Sequence, residues 1–124
     1  MAEAAPCKIL IALYGNDVAP RFDLATEVLI AVLAADGSLV DEKTVVLPQS
    51  SAEQLCHMSL TEGVQVVICG AIEDEYYQYL SWKKVQVLDS VIGPYDRVLA
   101  RLRKGVLQSG DILFGEGSKT EDGG

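Results

Sequence analysis

The chain has 124 residues, 49% hydrophobic and 23% charged, which fits one globular domain burying roughly two-thirds of its unfolded surface. Its formal charge of −8 argues against duplex nucleic acid, where Lys and Arg must neutralise phosphates, and disfavours anionic membranes. No apolar run approaches the ~20 residues of a membrane helix. The amino terminus lacks the basic region of a signal peptide, and Cys7, Cys56 and Cys69 are too few and too scattered for a disulfide framework. The expected location is a reducing cytoplasm.

Cys7 to Tyr14 is apolar at nearly every position, as in a central strand covered on both faces. Gly15-Asn16 breaks it, and a loop carrying Pro20-Arg21-Phe22 follows. Glu27 to Ala34 fits helix or strand, but Asp36-Gly37 is a hairpin signal and Leu39 to Leu47 resumes with β-branched residues. Two antiparallel strands are expected there. Ser50-Ser51-Ala52-Glu53 has the form of a capping box, opening a helix with Ala52, Leu55, Cys56 and Ser59 on one stripe. Gly63 stops that helix, and Val64 to Cys69 reads as a buried parallel strand. Gly70 ends it, with a helical pattern expected at once, running through Leu80. Val85 to Asp89 repeats the strand, and Gly93-Pro94 opens a last helix ending at Gly105. Arg101, Arg103 and Lys104 sit near the negative end of its dipole. The domain is expected over 1–107, with 108–124 a disordered acidic, Gly-rich tail despite Ile112-Leu113-Phe114.

The order β-β-β-α-β-α-β-α with right-handed crossovers predicts an α/β fold. A five-stranded mixed sheet of order 3-2-1-4-5, strand 2 antiparallel, is flanked by three helices in a ribonuclease-H-like arrangement. Gly70 and Gly93 then fall at the carboxyl edge of the parallel strands, where open α/β sheets bind ligands.

Covalent chemistry finds little support. The strand at Cys7 to Tyr14 carries no acid, so the carboxylates of two-metal phosphoryl transfer are missing. Glu73, Asp74 and Glu75 are accounted for by the dipole of the helix they open. There is one histidine, His57, and no Gly-x-Ser-x-Gly elbow. Cys56 and His57 are adjacent on a helix, about 100° apart, and are not expected to face one ion. Cys69, ending a central strand, is either a buried small apolar residue or a soft-metal ligand. Ile72, Tyr76, Tyr79 and Leu80 follow helical spacing toward the core, with Tyr77 pointing elsewhere. Arg21 and Phe22 share the edge with the glycines. Either the guanidinium and nearby amides bind an anion, or Arg21 is solvated and Phe22 anchors the loop.

Pro20-Arg21-Phe22-Asp23-Leu24-Ala25, Val67-Ile68-Cys69-Gly70-Ala71-Ile72 and Val91-Ile92-Gly93-Pro94, in that order, resemble the dinitrogenase iron–molybdenum cofactor biosynthesis family over about residues 7–105. The resemblance implies a nitrogen-fixation-related, non-enzymatic carrier of a metal–sulfur cluster or its precursor, of iron–molybdenum or molybdenum–copper type. The alternative is a protein-interaction or regulatory module of the same fold with no cluster. Its cofactor-binding residues are expected to be Gly15, Asn16, Arg21, Phe22, Gly70, Ala71, Ile72 and Gly93, with Cys69 the candidate metal ligand. Cofactor-assembly proteins are the implied protein partners, and a homodimer is compatible with the pattern.

Overall fold

The computed structural model describes residues 7–113. Six strands form one mixed sheet: β1 (Cys7–Tyr14), β2 (Asp17–Val18), β3 (Glu27–Leu33), β4 (Leu39–Val46), β5 (Val66–Ile68) and β6 (Gln86–Leu88). The helices are α1 (Ala52–Thr61), α2 (Asp74–Trp82) and α3 (Tyr95–Arg103). The order β4-β3-β1-β5-β6 is the one the hairpin and crossovers predict, and among these five only β3 runs against the others. The two-residue β2 is an addition, folded back antiparallel on the end of β1.

β1 is apolar throughout because its side chains serve two cores. Leu10 and Ala12 join the layer under α1 and α2, while Ile9, Ile11 and Leu13 join the layer under α3. Asp36 holds the β3–β4 turn by accepting from Ser38 N–H (2.9 Å) and Oγ (2.6 Å), which lowers its pKa.

Helix α1 buries the stripe expected of it: Ala52, Leu55, Cys56 and Ser59. Its cap is shifted by one residue. Ser51 accepts from Gln54 N–H at 3.2 Å, while Ser50 Oγ donates to the Ala25 carbonyl. Ser51-x-x-Gln54 fits the capping pattern as well as Ser50-x-x-Glu53, and the chain's path selects it.

Helix α2 starts at Asp74, not directly after Gly70, because Ala71 is first paired with Arg21 in a parallel bridge. Only Leu80 of α2 is buried. Tyr79 and Trp82 are exposed, Trp82 by 71%, so the core placement of Tyr79 is overturned. Lys83 lies over both rings, 4.6 Å from the Trp82 centroid. Helix α3 follows Pro94 as cap and buries Val98 and Leu99.

Composition places 108–113 in the expected tail, but these residues are described and contact the domain. Residues 108–113 pack on the domain through main-chain hydrogen bonds, which need no apolar side chains: Gly110 N–H to the Asp89 carbonyl, Ile92 N–H to Asp111, and Leu113 N–H to Ile92. The rest of the expected tail lies outside the described residues.

Candidate functional site

Three segments meet at the carboxyl edge of β1, β5 and β6. After β1, Gly15 takes φ +67° and the chain reverses into β2. Val18 N–H then donates to the Gly93 carbonyl and Tyr95 N–H to the Asn16 carbonyl, each at 2.9 Å. Farther along, Ala71 N–H donates to Pro20 and Phe22 N–H to Ala71, each at 2.8 Å. The loop after β1 is therefore stitched to both later strand ends.

The space left between these seams is a cleft of about 690 Å³. Tyr14, Asp17, Val18 and Pro20 form one side, and Gly70 and Ala71 the floor of another. Ser90 to Pro94 and Leu113 complete it. Among the described residues no Cys, His, Lys or Arg lines it, and Asp17 is the one carboxylate. The N–H groups of Gly70 and Gly93 donate to no acceptor among the described residues. A guest therefore meets mostly apolar walls.

Of the residues predicted from sequence, Gly70, Ala71 and Gly93 line this cleft. The glycines serve the fold as well. A Cβ on Gly70 would run into the carbonyl oxygens of Ala19 and Pro20, and one on Gly93 into Leu113. Gly15 and Asn16 shape the turn without lining the cavity. Arg21 is exposed, with Nε and Nη2 donating to both oxygens of Asp23 at 3.0 and 2.9 Å. Its charge is committed there and not to the cleft. Phe22 is 1% exposed and tilts against Tyr76, so it anchors the loop. Ile72 is half-buried and borders a smaller depression with Asp74, Tyr77 and Asp89.

Cys69 is fully enclosed in the α1/α2 layer, where burial, then the Asp89 charge, pushes its thiol up to about 12. The thiolate, not the thiol, is the metal-binding form, and Cys69 is shut off from solvent, so the geometry there favours the packing role. Cys56 and His57, expected to diverge, both border a groove of about 380 Å³ between α1 and α2, with Glu53, Glu75, Tyr76 and Tyr79. The groove lies between their two directions and admits both. Among the described residues no three His, Cys, Asp or Glu side chains are grouped to hold a metal ion.

Sequence reasoning missed Tyr14, Asp17, Ser90 and Leu113 as lining residues. Val91-Ile92 ahead of Gly93-Pro94 was the available signal. Ser90, at φ +59°, gives none.

The dinitrogenase iron-molybdenum cofactor family matches residues 7–105. The chain belongs to that family, and membership relates it to binding or biosynthesis of the iron–molybdenum cofactor. Among solved structures, the fold is shared with PH0822 at a TM-score of 0.74 and 15% identity, over 82% of this chain and 93% of that one. It is shared as well with the dinitrogenase-like protein MJ0327 of Methanocaldococcus jannaschii. The crystal structure of MJ0327 gives a TM-score of 0.67 at 19% identity, over 85% of this chain and 95% of that one. Its NMR structure gives 0.68 at 21%, over 83% and 92%. At these identities the likeness concerns the fold. No curated protein matches the chain. Among the described residues no helix is long and apolar enough to cross a membrane.

Proposed function

We propose that the protein is a non-enzymatic carrier that holds a preassembled metal–sulfur cluster, of iron–molybdenum or molybdenum–copper type, or its precursor, in the cleft at the carboxyl edge of β1, β5 and β6. One observation carries this reading: in a member of this family, a 690 Å³ cleft sits at the ligand-binding edge of the sheet, with no nucleophile–base pair among its described lining residues. Lacking thiol and imidazole, the cleft would grip a cluster through the outward sulfur or oxygen atoms, not through bonds to its metals. Such a grip suits cargo that must leave again. Cofactor-assembly proteins would load and unload it, in the cytoplasm.

The test is anaerobic titration of the full chain with tetrathiomolybdate and copper, followed by absorbance. Saturable binding is expected, weakened about tenfold in Tyr14→Ala/Ile92→Ala, whose side chains are exposed on the cleft. No saturable signal from wild type refutes the carrier reading. The interaction-module reading draws on the same exposed Tyr14, Ile92 and neighbouring Ile112. It requires a stoichiometric protein partner that copurifies with wild type and is lost in that double variant.

A further inference from the structure

The family match ends at residue 105, yet one wall of the cleft comes from residue 113. From Leu107, which is buried against the α3 layer, the chain turns through Gln108–Asp111 and comes back to the cleft mouth. The Ser109 hydroxyl accepts from Asp89 N–H at 3.1 Å, and the Asp111 carboxylate closes the turn by accepting from Gln108 N–H at 2.9 Å. Ile112 then bridges Ile92, and Leu113 rests over Gly93.

We propose that residues 108–113 are a detachable wall of the binding cleft, a strap whose opening sets how fast cargo leaves. The inference rests on the carrier reading for its cargo, but not for its mechanics. Among the described residues, attachment is slight beyond Leu107. Leu113 is half-buried, Ile112 is 56% exposed, and the remaining hold is a handful of hydrogen bonds at the surface. Segments with few buried apolar contacts and exposed hydrogen bonds open locally without global unfolding. The sheet's strand pairing does not depend on the strap, since every main strand is bonded to another strand, and of the strap's side chains only the half-buried Leu113 packs against the α3-side core. With the strap lifted, Gly93 and Ile92 face solvent and the cleft loses its Leu113 side.

The experiment uses the full chain and a Ser109→Ala/Asp111→Ala variant, neither residue lining the cleft. Hydrogen exchange at the Ile92 and Leu113 amides is expected to quicken about tenfold, while exchange at Ile11 and Ile68 stays unchanged. Release of bound tetrathiomolybdate–copper, chased with excess unlabelled probe, should quicken by the same factor. Strap amides exchanging as slowly as Ile11 in wild type overturn the proposal, as does unchanged release from a variant whose strap has loosened. Should wild type bind no probe, the carrier reading fails, and exchange alone decides: opening independent of the core upholds the detachable wall, and core-like protection overturns it.

Discussion

Replacing Gly70 with alanine tests whether the loop after β1 is packed as tightly as the geometry requires. The new Cβ would overlap the Ala19 and Pro20 carbonyl oxygens and stand 2.7 Å from the Pro20 carbonyl carbon. These are backbone atoms, which cannot swing aside as a side-chain tip can. If the loop stays, overpacking costs about 1–3 kcal/mol. If it retreats, two hydrogen bonds between Pro20–Phe22 and Ala71 are lost at about 0.5–1.5 kcal/mol each, and Phe22 is dragged from the core. Both routes give a loss of about 1–3 kcal/mol, toward the upper end where Phe22 moves as well. Gly15→Ala is the control: nothing lies within 4 Å of its Cβ, and only the φ of +67° is strained, costing about 1 kcal/mol. Urea unfolding followed by far-ultraviolet circular dichroism measures both, since the exposed Trp82 is a poor reporter of burial. Equal losses in the two variants, or a Gly70→Ala loss below about 0.5 kcal/mol, would refute the packing argument.

The buried thiols make stability pH-dependent. Burial raises Cys56 from 9.0 to about 11 and Cys69 to about 12, so the unfolded chain ionises first; stability is complete below pH 9 and declines as pH rises through that window. The slope is at most about 1.4 kcal/mol per pH unit per thiol and should shrink in Cys69→Ala; identical slopes in the two proteins count against it. At pH 8 iodoacetamide should modify Cys7 first, with Cys56 and Cys69 reacting only on unfolding; prompt native labelling of Cys69 would show that it is accessible after all. Arg21→Ala should change stability by less than about 1 kcal/mol, because its ion pair with Asp23 is exposed. Tetrathiomolybdate–copper affinity should change less than about threefold, and a tenfold loss would mean that the guanidinium leaves Asp23 and turns to the cleft.

The sheet was legible because its signals are local. The Asp36-Gly37 hairpin and the two β-α-β crossovers decide strand order between them, and period and turn chemistry survive in one dimension. Less was legible at α2. Helical spacing aligned Tyr79 with Leu80, but spacing does not reveal how narrow a stripe the neighbouring α1 covers, and the exposed rings lie beyond it. The cleft glycines were visible as glycines at strand ends; that Gly70 makes room for Ala19 and Pro20 depends on contacts between segments some 50 positions apart. Arg21 looked available for a ligand because Asp23, two residues on, gives no sign in sequence of folding back onto it. Residues 108–113 looked like tail because composition registers side chains, whereas main-chain pairing holds them.

The stitching of the cleft has a consequence for when it can exist. Its described walls come from residues 14–20, 70–71, 90–94 and 113, so no fragment shorter than residues 14–113 contains it. A ribosome must release nearly the whole described sequence before the first loop finds Gly93 and Leu113. Closing such long loops is the slow, costly part of folding, and the cleft is a product of its last steps. A guest that fits there selects finished molecules over nascent or partly folded ones, and its binding stabilises the native side, less whatever the thiols of Cys56 and Cys69 capture once unfolding exposes them.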